Sequence, residues 1–158
     1  MYGYIDDRDA WYIWIVNVWV AKNIRYVKDP GFELFQKPSE TLELKAGDCD
    51  DVAILLASMY QALGLQTKFI EVDTDGDRVI DHLAVLVRYP RSLKEFLNAE
   101  EEIAEAVGLG SRLPDIISVK YLEIKGDTWI IVDPFASESD YCVGMIKHEP
   151  YVIIHYFP

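Results

Sequence analysis

The stretch that decides the fold is GDCDDVA, residues 47–53, which leads directly into the apolar run ILLASMY, residues 54–60. This pattern predicts a buried helix over Cys49–Leu63 that Gly64 ends. Cys49 then lies at the helix N-terminus, where unpaired backbone N–H groups and the helix dipole stabilise an anion such as a thiolate. A reactive thiol and a buried structural cysteine both stay open here, although core cysteines usually lie inside apolar runs rather than among aspartates.

Asp50 and Asp51 fall in the first turn of this helix. Acidic side chains there complement the helix dipole, which is a sufficient structural reason for them. They would oppose a thiolate if they faced the sulfur. We therefore expect both carboxylates to point away from Cys49 or to accept hydrogen bonds from the backbone.

Two further segments supply the partners that a nucleophilic thiol requires. His82 begins a predicted strand over His82–Tyr89, and Asp133 ends a strand just before Pro134. A thiol needs a base, and the base needs an orienting carboxylate. His148 and His155 are the competing histidines, the first in a predicted loop and the second inside a predicted strand.

The remaining elements place helices first and mostly antiparallel strands after them, which is typical of an α+β domain. Asp9 is the predicted cap of the first helix. The pattern predicts helices over Ala10–Lys22 and Leu93–Val107, an extended piece over Asn23–Lys28, and strands over Thr67–Val72, Val119–Ile124, Thr128–Val132 and Tyr151–Phe157.

Taken together, these segments resemble the transglutaminase-like superfamily, relatives of the papain-type cysteine peptidases. The resemblance covers most of the chain. It is carried by residues 47–51 with their helix and by Asn23–Tyr26, Pro38–Leu42, Leu63–Phe69, the His82 strand and Trp129–Pro134. It implies a papain-like or transglutaminase-like core, in which a central helix bearing Cys49 packs on an antiparallel sheet, and a catalytic triad of Cys49, His82 and Asp133.

Two features depart from the family pattern. Leu83-Ala84-Val85 follows the histidine, where the family often has a small residue and an aromatic one. Residues Pro90–Ser118 form a long insertion between the histidine strand and the aspartate hairpin. We expect one domain over residues 1–158, with this insertion serving as a lid, a partner surface or decoration.

The resemblance implies acyl transfer through a thioester on Cys49. We expect a cysteine-dependent acyl hydrolase, a peptidase or amidase with a peptide or protein substrate. The alternatives are transfer of the acyl group to an amine, and a non-catalytic binding domain that retains the fold. The oxyanion would be held by the Cys49 backbone N–H and one upstream group, for which Gln36 and Tyr26 are candidates. A polar loop residue and a core aromatic are the simpler interpretations of these two.

The segment Asp73–Asp81 resembles the start of a calcium-binding EF-hand loop, with aspartates at positions 73, 75, 77 and 81. It has Arg78 where that loop requires glycine and Ala84 where it requires glutamate, and it joins two strands. We therefore expect an ordinary hairpin loop, no metal and no cofactor. A calcium site formed by Asp73, Asp75, Asp77 and Asp81 is the alternative.

Composition narrows the remaining functions. The chain has 158 residues, 51% of them apolar, and a formal net charge of −12, so no basic surface is present for nucleic acid. The apolar run Trp11–Ala21 is too short to span a membrane, and the aspartates before it do not fit a signal peptide. We expect no membrane segment and a cytoplasmic protein. Two cysteines do not make a disulfide framework.

Overall fold

The computed structural model describes residues 6–28, 36–114, 117–137 and 141–158. The helices are α1 (Arg8–Asn23), α2 (Pro38–Leu44), α3 (Cys49–Ala62) and α4 (Leu93–Ala106). The strands are β1 (Arg25–Tyr26), β2 (Ala46–Gly47), β3 (Thr67–Asp73), β4 (His82–Tyr89), β5 (Tyr121–Ile124), β6 (Asp127–Val132) and β7 (Val152–Phe157). The predicted α+β class is confirmed.

Helix α1 is the predicted buried helix, but it begins earlier than expected. Asp7, not Asp9, caps it, because the Asp7 carboxylate accepts a hydrogen bond from the Ala10 N–H at 3.1 Å. The same carboxylate accepts from the Tyr89 hydroxyl, which ties the start of the helix to the end of β4. None of the described helices has the length and apolar character needed to cross a membrane.

Helix α3 starts at a pair of reciprocal hydrogen bonds. Asp48 Oδ1 accepts from the Asp51 N–H at 3.0 Å, and Asp51 Oδ2 accepts from the Asp48 N–H at 3.1 Å. This capping box satisfies two donors at the helix N-terminus. The rest of the helix runs through the main core, where Leu55 and Tyr60 have no exposed surface. Cys49 is therefore fixed as the first helical residue.

The main sheet has the order β5-β6-β4-β3-β7, and all its neighbouring strands are antiparallel. Helices α1, α3 and α4 cover one face and form the main core with it. A second, smaller core is formed by Tyr151 and by other residues of the sheet: Ile70, Val72, Ala84, Leu86, Trp129 and Ile131. This arrangement confirms the central cysteine helix packed on an antiparallel sheet.

A short parallel pair formed by β1 and β2 brings a distant segment to the cysteine turn. Tyr26 pairs with Gly47 in this ladder, and the Val27 N–H donates to the Gly47 carbonyl at 2.9 Å. Helix α2, which the sequence interpretation missed, connects the two strands along the chain. Its Pro38 occupies the first turn, where proline is well tolerated.

The segment after β4 contributes to the main core. Ser92 caps α4 by accepting from the Glu95 N–H at 3.2 Å, and Phe96 and Ile103 are fully buried. Glu100 is buried as well, and its Oε1 accepts from the Val143 N–H at 2.6 Å. Burial raises the pKa of Glu100 to about 8 in spite of this hydrogen bond. Helix α4 therefore packs as part of the main core.

Gly47 is required by the close approach of the capping box. A Cβ added at Gly47 would lie 2.7 Å from Asp51 Cβ, and the Asp51 carboxylate cannot move without breaking its hydrogen bonds. We expect Gly47→Ala to lower the free energy of unfolding by about 1–3 kcal/mol in urea titrations. Gly110→Ala is the matched control, since the nearest atom to its Cβ would belong to the flexible side chain of Glu105, at 3.3 Å. Equal losses in the two variants would contradict this account.

Candidate active site

Three elements converge on Cys49, His82 and Asp133. Cys49 is the first residue of α3, His82 is the first residue of β4, and Asp133 directly follows β6. Strands β4 and β6 are antiparallel neighbours with Val85 opposite Val132, so Asp133 lies at the same end of the sheet as His82. Cys49, His82 and Asp133 line one cleft between α3 and the sheet.

His82 and Asp133 form a short, buried pair. His82 Nε2 lies 2.6 Å from Asp133 Oδ2, and their side chains are 17% and 6% exposed. Burial alone lowers the pKa of His82, but the hydrogen bonds and negative charges of Asp133 and Cys49 outweigh it and raise the pKa to about 10. The imidazole therefore holds a proton at neutral pH, next to the thiol.

The acidic residues beside Cys49 behave differently from each other. The Asp51 carboxylate is fully buried and accepts from the backbone N–H groups of Asp48 and Gln36, as expected. The Asp50 carboxylate does not point away from the sulfur, because the Cys49 thiol makes a long hydrogen bond of 3.8 Å to Asp50 Oδ1.

Tyr151 is the member of the site that the sequence interpretation missed. Its hydroxyl donates to Asp133 Oδ2 at 2.8 Å, the same oxygen that meets His82. The Asp133 carbonyl also accepts from the Ser137 hydroxyl at 2.8 Å, which fixes the turn after β6. A tyrosine just before an edge strand has an ordinary structural explanation, and nothing in the sequence links it to Asp133.

The two oxyanion candidates lie in different surroundings. Tyr26 lines the cleft with Cys49, and burial followed by the negative charges of Cys49, Asp48, Asp133 and Asp50 raises the pKa of its hydroxyl. Gln36 supports the helix start, because its N–H donates to Asp51 Oδ1 at 2.8 Å and its Oε1 accepts from Thr41 Oγ1 at 2.9 Å. Of the two, Tyr26 is the one in the cleft lining.

Neither competing histidine contacts this cleft. His148 Nε2 lies 3.0 Å from the Thr74 carbonyl, and His155 Nδ1 pairs with Glu71 Oε1 at 2.8 Å. Both contacts are on the β3–β7 side of the sheet. His82 is the histidine that Cys49 meets.

The mouth of the site has an aromatic side and an acidic side. The rings of Tyr26 and Phe135 lie 5.7 Å apart between centroids, and both residues are partly exposed. On the other side, a groove of about 370 Å³ opens beside the thiol. Its described lining is Cys49, Asp50, Glu71, Ile80, Asp81, His82, Leu83 and Phe157. This lining contains carboxylates but no lysine or arginine.

The acidic loop between β3 and β4 satisfies its carboxylates internally. Asp73 accepts from the N–H groups of Asp75, Gly76 and Arg78 at 2.8–3.0 Å, and Asp81 Oδ1 accepts from Thr74. Asp73, Asp75 and Asp81 offer oxygens within 4.8 Å of one another. The Asp77 carboxylate instead accepts from the Val79 N–H at 2.8 Å. These are the contacts of a self-capped hairpin turn.

Comparison with known proteins relates both the sequence and the fold to described proteins. The sequence matches the model of the transglutaminase-like superfamily over residues 12–134. The fold is similar to that of a Cytophaga hutchinsonii protein described as a "putative cysteine protease", with a TM-score of 0.51 and 15% sequence identity. That alignment covers 91% of this chain and 35% of the other, and at this identity it concerns the fold alone. A search of curated proteins found no match.

The geometry predicts selective alkylation of Cys49. Because an imidazolium beside a thiol favours the reactive thiolate, we expect iodoacetamide to modify Cys49 about tenfold faster than Cys142 or more at pH 6. Because Cys142 is fully buried, the decisive variant is His82→Ala, which should slow Cys49 and move its reaction to higher pH. His148→Ala is the control and should change nothing. Identical profiles for the wild type and His82→Ala would exclude activation by this histidine.

The acidic loop gives a second prediction. Because its aspartates are already hydrogen-bonded to the loop backbone, we expect millimolar calcium to leave the melting temperature unchanged. A rise that Asp75→Ala abolishes would contradict this and establish a metal site next to His82. Asp127→Ala, on the far side of the sheet, is the control for general charge effects.

Proposed function

Because the chain belongs to the transglutaminase-like superfamily, as its sequence predicted, we propose that it is a cysteine-dependent acyl hydrolase. Family membership supports a cysteine-based enzyme in general. The specific proposal is a peptidase or amidase that forms a thioester on Cys49 from a peptide or protein substrate. Cys49 is the nucleophile, His82 the acid and base, and Asp133 the residue that orients the histidine.

The observation that carries the proposal is the 2.6 Å contact between His82 Nε2 and Asp133 Oδ2, beside a thiol at a helix N-terminus. A structural cysteine has no need of a charged imidazole held by a buried carboxylate. A nucleophilic cysteine does, because the thiolate is the reactive species and a neighbouring cation favours it. The proposal assigns the proton of the thiol to His82 in the resting enzyme.

Acylation follows from these positions. The Cys49 sulfur attacks the carbonyl carbon of the scissile amide, a C–S bond forms, and the carbonyl electron pair moves to oxygen. When the tetrahedral intermediate collapses, the C–N bond breaks and His82 donates its proton to the leaving amine. The product on the enzyme is a thioester, and the imidazole is now neutral.

Hydrolysis uses the same groups in reverse. Water attacks the thioester carbon while His82 removes one of its protons, so a C–O bond forms. The C–S bond then breaks, a carboxylic acid leaves, and the thiolate and imidazolium are restored. Asp133 does not change its protonation in either half, because its role is to hold the ring and stabilise its positive charge.

The oxyanion formed in both halves requires hydrogen-bond donors. The backbone N–H of Cys49 is a suitable donor, since it lies among the first N–H groups of α3. Tyr26 is the better of the two side-chain candidates, because it lines the cleft and its raised pKa keeps the phenol protonated. Gln36 is assigned the structural role of supporting the start of α3.

Transfer to an amine is the second candidate function, and two observations favour it. The groove beside Cys49 contains Asp50, Glu71 and Asp81, which would attract a protonated amine such as a lysine side chain. The exposed rings of Tyr26 and Phe135 would limit the access of water from the other side. The groove also has room for water, so the chemical outcome depends on which acceptor reaches the thioester first.

One experiment separates these functions. We expect the protein to hydrolyse members of a peptide and ester library, with little incorporation of a labelled primary amine. Cys49→Ala should abolish turnover, and His82→Ala should lower kcat by about 100-fold or more, because general acid–base catalysis contributes about that much. Cys142→Ala is the matched control. Dominant amine incorporation would replace hydrolase with transferase, and no turnover together with an unreactive Cys49 would favour a binding domain.

A further inference from the structure

Asp133 Oδ2 receives two donors that come from different parts of the chain. His82 Nε2 lies 2.6 Å from it, and the Tyr151 hydroxyl donates to it at 2.8 Å. Asp133 and Tyr151 are only 5% and 6% exposed. Water therefore has little access to this oxygen, and the tyrosine occupies a position at which a solvent molecule would otherwise be needed.

Tyr151 is held by packing against the two strands that carry His82 and Asp133. It lies directly before the edge strand β7 and belongs to the second core with Ile131. Its ring meets the His82 ring edge to face, at a centroid distance of 6.2 Å and an interplanar angle of 69°. The phenol is thus positioned by packing, and its hydroxyl points to the carboxylate.

The phenol donates a hydrogen bond to the Asp133 carboxylate at this position. Burial, and then the negative charge of Asp133, raise the pKa of Tyr151 far above its usual range, so the hydroxyl keeps its proton. A donor on a carboxylate oxygen stabilises the charged form of the carboxylate and makes that oxygen a weaker acceptor for any second donor. His82 is the second donor.

We infer that Tyr151 is a positioning residue, whose hydroxyl shares Asp133 Oδ2 with His82 and so limits how tightly the carboxylate retains the imidazole proton. This inference rests on the proposed hydrolase function. It adds a catalytic purpose to a contact that also satisfies a buried hydroxyl, while Ser137 and β6 hold the backbone of Asp133.

The reason for such a limit lies in the second half of the reaction. Water is activated only by the neutral imidazole, yet Asp133 and the thiolate raise the pKa of His82 to about 10 in the resting state. The thiolate charge disappears once the thioester forms, but the carboxylate stays. A carboxylate that served His82 alone would keep the ring protonated and slow deacylation.

Tyr151→Phe tests this directly, because it removes the hydroxyl and keeps the ring. We expect the NMR titration of the His82 ring to move upward by about half a pKa unit, since the carboxylate loses its competing donor. Tyr156→Phe is the matched control, because Tyr156 lies within β7 and its side chain is exposed. In Tyr156→Phe the His82 ring should titrate as it does in the wild type.

Kinetics supply a second readout. A rise of half a unit leaves about threefold less neutral imidazole at neutral pH, so kcat should fall about threefold. KM should fall with it, because slower deacylation lets the thioester accumulate, and kcat/KM should change little. A purely structural role would lower kcat/KM through loss of folded enzyme and would leave the titration of His82 in place.

The outcomes separate this inference from the proposed function. An unchanged or lowered His82 titration in Tyr151→Phe would overturn the role of Tyr151, whatever the activity. A raised titration in a protein without any turnover would support that role and overturn the hydrolase. If Tyr151→Phe does not fold, the wild-type hydroxyl proton decides: it should exchange slowly and show cross-peaks to the His82 ring, and its absence would overturn the inference.

Discussion

The reciprocal hydrogen bonds between Asp48 and Asp51 are the constraint on which the candidate site depends. They determine where α3 begins, and through that they place Cys49 at the only turn of the helix with spare backbone donors. The buried Asp51 carboxylate also accepts from the Gln36 N–H, so it joins the segment before α2 to the start of α3. Tyr26 of β1 pairs with Gly47 of β2, just before the helix start. The same arrangement therefore brings Tyr26 into the cleft that Cys49 lines.

Opposing charges are balanced closely around the thiol. The chain carries a net charge of −12, and carboxylates line the groove, yet the proposed chemistry requires a thiolate. Asp50 lies 3.8 Å from the sulfur and opposes that charge. The raised pKa of His82 is what compensates, and both Asp133 and Cys49 raise it. Among the described residues that line the cleft and the groove, the His82 imidazolium is the cation, and it lies beside the sulfur on which the proposed thiolate charge forms.

Much of this could be predicted from local sequence. The cysteine helix, the strand beginning at His82 and the strand ending before Asp133 are each defined by caps, turns and apolar periodicity, which short windows reveal. The cap of α1 at Asp7 and the whole of α2 were missed, since neither has an apolar pattern long enough to stand out. The contact of Tyr151 with Asp133 could not be predicted, because it depends on how segments distant in sequence pack. The exposed acidic loop was correctly interpreted as a strand connection, since its turn residues act locally.

Glu100 bears on how this chain can be altered as well as how it is built. The helix that the family resemblance marks as inserted provides the acceptor for the Val143 N–H, at 2.6 Å inside the core. Removing or exchanging that helix would leave the buried Val143 N–H without its acceptor. The helix and the loop around Val143 therefore depend on each other for their buried hydrogen bond. A chimera that exchanges one must exchange both, so this region is poorly suited to serve as a modular insertion site in engineering.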